Sequence, residues 1–256
     1  MHLASEAITL ECAVIGLAAA AGGIGYSVSR LAAKREQRPD SPADVGVKAA
    51  ALGSLVFAAQ MLNIPVLASS SVHFVGGVLL AEVLGPAVGV LTMSAVLLLQ
   101  AVLFGDGGLA ALGVNITNMA LLPAGSLLLM RKLTAQGTVA VAAASVLSIV
   151  LAVLLIGGEV ALRRSATDLA QWSTFASAML TNHLPLLPLE CALTVAIVAL
   201  LRAEKSDQRS AWRVPAAAAT AAILIAAFAL AASSTLPDGY ESAAESAQMG
   251  WLIAGR

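Results

Sequence analysis

The sequence predicts an all-α fold: a polytopic membrane helical bundle of about seven helices plus one further carboxy-terminal helix, with both termini external. Three observations predict it. The composition is 59% hydrophobic and only 11% charged, with a mean hydropathy of +0.89, a balance that neither a soluble globule nor a disordered chain carries. Apolar runs long enough to cross a bilayer, about 20 residues each, recur along the chain. The lysines and arginines between those runs gather on one side when the runs are threaded back and forth.

The first apolar run covers residues 7 to 29 and the second 45 to 62. The residues ahead of the first run include Glu6 and no lysine or arginine, so they lack the basic leading region of a secretory signal, and the first helix is read as retained. Residues 62 to 72 contain Pro65 and end in Ser69-Ser70-Ser71. That stretch is too polar and proline-interrupted for a helix and is read as a loop folded against the bundle.

Residues 74 to 104 contain Gly85-Pro86. Proline removes a helical hydrogen bond and restricts the residue before it, so this run is either two short spans or one kinked helix. Further spans follow at 114 to 130, 138 to 157, 172 to 201 and 213 to 233. Loop charge separates the alternatives at Gly85. With two short spans and an external amino terminus, Arg30, Lys34, Arg35, Arg38, Lys48, Arg131, Lys132, Arg202, Lys205, Arg209 and Arg213 are cytoplasmic, and only Arg163, Arg164 and Arg256 remain outside. With one kinked helix the later loops invert and the 202 to 213 cluster lies outside, against the positive-inside rule. Eight helices are therefore expected, in a multi-pass protein of the cell (plasma or inner) membrane.

This threading puts three segments on the outer face: the amino terminus, the loop before His73, and the loop from Gly105 to Gly113. The chain begins Met1-His2. A free terminal amine, the deprotonated amide nitrogen of His2 and its imidazole offer three nitrogens to one metal ion. Ni(II) and Cu(II) prefer four nitrogens in a plane, and His73 could complete such a set. The short, Gly/Pro-interrupted span after His73 also points to a binding site by analogy with transporters.

Glu11, Gln60, Asn63, Glu82, Gln100, Asn115, Asn118, Glu159, His183 and Glu190 lie in or at the ends of apolar runs, where polar groups are costly and mark either interhelical hydrogen bonds or function. His183 and Glu190 are seven residues apart on what reads as one helix, hence roughly on one face, as a buried polar pair or a metal contribution. Glu82 is read as interfacial, near the cytoplasmic end of its span.

Other functions have no support in the sequence. Cys12 and Cys191 sit in apolar runs without a CxxC spacing and read as core residues. The net charge of -1 and the scattered basic residues argue against nucleic-acid binding. HExxH, GxSxG and GxxxxGK[ST] motifs are absent, so no enzyme is indicated and the chain has no ATP site of the usual kind.

Met1-His2, the stretch SSSVHFVGGVLLAEVLGP around His73, and LLLQAVLFGDGGLAALGVNITNM from Leu97 to Met119 together resemble the CbiM/NikM family, as do QMLNIPV from Gln60 and NHLPLLPLE from Asn182. The family comprises substrate-binding membrane subunits of cobalt and nickel energy-coupling-factor transporters. The resemblance covers about residues 1 to 202. It implies a seven-helix bundle binding Ni(II) or Co(II) at the outer face through Met1, His2 and His73, with Asn63, Asn115 and Asn118 as candidates to order the surrounding loops; His183, from its place in an apolar run, is a further candidate to surround the site. It also implies, as partners, a coupling transmembrane subunit and ATPase subunits, with a separate accessory subunit as a further candidate. The family usually has a glycine shortly after Met-His, and here Leu3-Ala4-Ser5-Glu6-Ala7 has none, which leaves the path of these residues open.

Residues 203 to 256 read as a cytoplasmic linker, one more membrane helix and an external segment, SSTLPDGYESAAE, similar to the PDGLE motif of the CbiN/NikN accessory subunit but with Tyr240 where leucine is usual. The function this implies is capture of the ion for an ATP-driven importer. The alternatives are a permease for an organic micronutrient that uses the buried Glu and Asn residues, and a non-transporting membrane scaffold.

Overall fold

The structure, a computed structural model, describes residues 2–33, 41–134, 137–162, 169–204 and 234–253. Met1 and the expected span 213 to 233 with its linker lie outside the described residues. Six helical stretches are long and apolar enough to cross a membrane: Leu10–Ala33 (α1), Pro42–Gln60 (α2), Pro86–Leu103 (α4), Leu112–Leu133 (α5), Gly137–Ala161 (α6) and Leu169–Arg202. Their outward faces expose residues such as Leu17, Leu98, Leu103 and Leu154, as lipid-facing surfaces do. The core between them is built around Val56, Leu79, Met93, Met119, Leu127 and Ile156.

Local chemistry sets the breaks. Ser41 caps α2 by accepting Asp44 N–H at 3.1 Å, with Pro42 in the first turn where its missing N–H costs nothing. At Gly85, φ of 85° separates the short helix Gly77–Leu84 (α3) from α4, so the run after His73 is two helices and not one kinked helix. Eight residues of helix rise only about 12 Å, and residues 73 to 76 lead into α3 outside any helix or strand. The segment expected as an irregular loop is in fact a small antiparallel hairpin, Ile64–Leu67 (β1) with Ser70–Val72 (β2), pairing Ile64 with Val72 and Pro65 with Ser71.

Two further features depart from the single helices expected. Within α5, Thr117–Leu121 is a π-helical turn, placed just before Pro123, whose ring cannot accept a regular helix turn ahead of it. The run expected as one helix from 172 to 201 is broken into Leu169–His183 (α7) and Leu186–Glu204 (α8). The physical reason is Pro185, which lacks an N–H, together with length: 34 residues of unbroken helix would reach about 51 Å, against a hydrocarbon core of about 30 Å. His183 and Glu190 therefore do not share a helix face.

The two ends of the bundle differ in chemistry. Glu82 on α3 binds Arg131 from the end of α5 and Arg202 from the end of α8, both at 2.7 Å. Three elements thus place their ends together on the side that the positive-inside rule assigns to the cytoplasm. His2, His73, Asp106 and the tail segment lie at the other end. There a short helix, Gly239–Ser246 (α9), packs on α7, capped by Asp238 through Tyr240 and Glu241 N–H in a reciprocal capping box with Glu241.

Candidate metal site

The amino-terminal segment is buried, with His2 2% and Leu3 0% exposed. It turns through a single 3-10 turn at Ser5–Ala7 before α1, so no glycine is needed within it. The close approach is supplied from across the site. Gly107 has φ of 79°, and a Cβ there would lie 2.5 Å from Asn115 Nδ2 and 3.3 Å from His2 Cβ, while one on Gly108 would strike Ser5. The loop after α4 closes over the terminus because these positions carry no side chain.

Asn115 tethers the terminus from below. Its Oδ1 accepts Leu3 N–H at 2.9 Å, and its Nδ2 donates to Leu3 O at 3.1 Å and Gly107 O at 3.5 Å. One amide side chain thereby satisfies both backbone groups of a buried residue and joins it to the covering loop.

His2 and His73 come together. Their rings stack with centroids 5.4 Å apart and planes 12° from parallel. His2 Nδ1 lies 3.0 Å from Asp106 Oδ2; a carboxylate accepts, so Nδ1 carries the proton. His73 Nδ1 donates to Phe74 O at 3.3 Å, which leaves Nε2 as the lone-pair nitrogen of that ring. Burial pushes the His73 imidazole down to about 3, with nearby positive charge acting the same way and Asp238 and Asp106 opposing it. The ring is neutral at physiological pH, as a ligand must be.

The other sequence candidates have separate positions. Asn118, inside the π-helical turn, donates to Glu159 Oε2 on α6 at 3.3 Å and joins two helices. Asn63 accepts Ser234 N–H at its carbonyl, 3.0 Å away, and so meets the tail. His183 bonds Met179 O through Nδ1 at 2.7 Å, and its ring lies under Gly239. Val72, His73, His183, Leu186, Asp238 and Gly239 line a small cleft between the bundle and the tail. The tail is fixed there by Ser71 N–H to Pro237 O at 2.9 Å and by Asn182 Nδ2 to Gly239 O at 3.2 Å. Tyr240 fits by packing edge-on to Phe175 and donating its hydroxyl to Leu252 O at 3.1 Å.

Asp106 was not among the residues singled out from sequence. Its one available signal was to be an acidic residue in a glycine-rich loop on the face shared with His2 and His73. Among the described residues, no group of three His, Cys, Asp or Glu side chains is arranged to hold a metal ion. A metal bound here would have to draw on backbone or terminal nitrogens as well as the two imidazoles.

Comparison with known proteins bears on this arrangement. Residues 2–208 match the family CbiM, described as the cobalt uptake substrate-specific transmembrane region. A putative fused nickel transport protein NikMN of Archaeoglobus fulgidus is 42% identical over 121 residues, 47% of this chain and 38% of that protein. The match therefore spans well under half of that relative's length. A putative metal transport protein of Haloquadratum walsbyi is 35% identical over 158 residues, 59% of this chain and 70% of that one. Among solved structures, a truncated transition metal transporter superposes with a TM-score of 0.65 at 25% identity, covering 80% of this chain and 99% of that one. The family is one of metal-transport membrane components and not of enzymes. With the family matched over most of its length, and with six apolar helices in a metal-transporter fold, the chain belongs to the CbiM family, as a multi-pass protein of the plasma membrane.

Proposed function

We propose that the protein is the substrate-binding membrane component of an ATP-driven Ni(II) or Co(II) importer of the energy-coupling-factor type. It captures the ion at the outer face through the free amine of Met1, the amide and imidazole nitrogens of His2, and His73. The observation that carries this reading is the stacking of His2 on His73, with the terminal segment held in place by Asn115. Chelation through His2 Nδ1 replaces the proton that this nitrogen shares with Asp106. The ion is thus exchanged for protons, and binding should weaken as pH falls because the amine and the amide must both be deprotonated. His73, already neutral, adds little to that dependence.

A planar four-nitrogen site favours Ni(II) over Co(II) on geometry and on affinity order. The fused nickel transport relatives agree with that preference, while the family description names cobalt. Residues 1 to 202 form the metal-binding unit in this reading. Residues 203 to 256 form a fused accessory segment whose external part caps the outer face beside His73. A coupling membrane subunit and ATPase subunits supply the energy, with a separate accessory subunit a further partner.

The test is a calorimetric Ni(II) titration with metal analysis, on full-length protein tagged only at the carboxy terminus, after its amino-terminal sequence is confirmed to start at Met1. His2→Ala, or residues added ahead of Met1, should abolish binding. Unchanged stoichiometry after either alteration would remove the site assignment.

A further inference from the structure

The chain from His73 to Gly76 runs from β2 to α3 outside any helix or strand, yet all four residues are buried. Buried amides there need partners, since an unpaired one costs about 1–3 kcal/mol. Two successive amides end on a single carboxylate: Val75 N–H donates to Glu190 Oε2 and Gly76 N–H to Glu190 Oε1, both at 2.8 Å. Glu190 is 1% exposed and belongs to α8. The carbonyl of Val75 is held as well, by Gln60 Nε2 at 2.7 Å, and Gln100 Nε2 in turn holds Gln60 Oε1 at 2.8 Å. The peptide groups on both sides of Val75 are thus gripped by side chains from two other helices, α8 and α2, and Gln100 on α4 braces the second of these.

From this geometry we propose that Glu190 is the positioning residue of the metal site, acting through the backbone of residues 75 and 76 to hold His73 opposite His2. The proposal rests on the reading of His2 and His73 as metal donors. A fourth nitrogen must lie close to the plane of the other three, and a ligand on a loose segment would lose affinity to the cost of ordering it. A carboxyl group suits this task because its two oxygens accept two neighbouring amides at once. Glutamine offers one acceptor and turns an NH2 group against the second amide. Aspartate keeps both oxygens but is one methylene short.

The experiment is a double-mutant cycle on full-length protein with a native amino terminus, reading the Ni(II) dissociation constant by calorimetry and the visible absorption of bound Ni(II). Glu190→Gln should weaken binding about tenfold and move the absorption towards that of His73→Ala. The combined His73→Ala, Glu190→Gln protein should bind no more weakly than His73→Ala alone, because Glu190 acts only through His73. Glu190→Asp should recover part of the loss, and it serves in the same cycle if the glutamine variant does not fold. Parental affinity and absorption in Glu190→Gln would overturn the proposal, as would losses that add in the double variant. Parental binding by His73→Ala would instead remove the metal-site reading itself, and this inference with it.

Discussion

At the scale of single residues, Asn115 shows how a polar group inside an apolar helix can be used. Its side chain makes paired hydrogen bonds with the backbone of Leu3, a residue that is completely buried and has no helix or sheet to satisfy it. Asn115→Ala leaves both groups unpaired at a cost of about 1–3 kcal/mol, and releases His2 from its place. The expected outcome is Ni(II) binding weakened roughly tenfold to a hundredfold, measured by the same titration; parental affinity would mean the terminus is held by other contacts. The meeting of His2 with His73 was legible in the sequence because histidine chemistry and loop parity both point to it. Asp106 was not, because a carboxylate in a glycine-rich loop has no distinguishing pattern until the loop is seen to close on His2.

Whole elements were legible where a local pattern fixes them and obscure where a partner does. Gly85-Pro86 announced its own break. The π-helical turn before Pro123 and the division of α7 from α8 at Pro185 both stem from prolines, yet the run from 172 to 201 reads as continuously apolar and hides its break. The hairpin at β1 and β2 was obscure for another reason: it is built against the tail, where Ser71 bonds Leu236 and Pro237 carbonyls. That docking is tight at Gly239, where an added Cβ would stand 2.7 Å from His183 Cε1. Gly239→Ala should therefore loosen the tail and speed proteolytic cleavage between residues 234 and 253 in detergent-solubilised protein. An unaltered cleavage rate would show that the His183 ring yields without loss of docking.

Across the whole molecule, α8 grips the segment bearing His73 and α3 at both ends. Glu190 holds Val75 and Gly76 near the end that carries His2 and His73, and Arg202 meets Glu82 at the opposite end, where Arg131 joins it. Glu82 has a side chain only 6% exposed, whereas the two arginines are 42% and 49% exposed. Removing the shared carboxylate therefore costs more than losing a surface ion pair and less than breaking a fully buried one. Glu82→Gln should lower stability by about 1–2 kcal/mol, read as a melting temperature reduced by a few degrees, and an unchanged melting temperature would count the network as inert. The sequence by itself determined the membrane class, most spans and the placing of His2 and His73 at one end of the bundle, because hydropathy and loop charge are sums over neighbouring residues. Only the tertiary structure decided which polar groups hold the backbone around His2 and His73. Glu190 lies 115 positions from Val75, and Asn115 lies 112 from Leu3. Pairings of that range are selected by the need to satisfy buried backbone groups once the helices have packed.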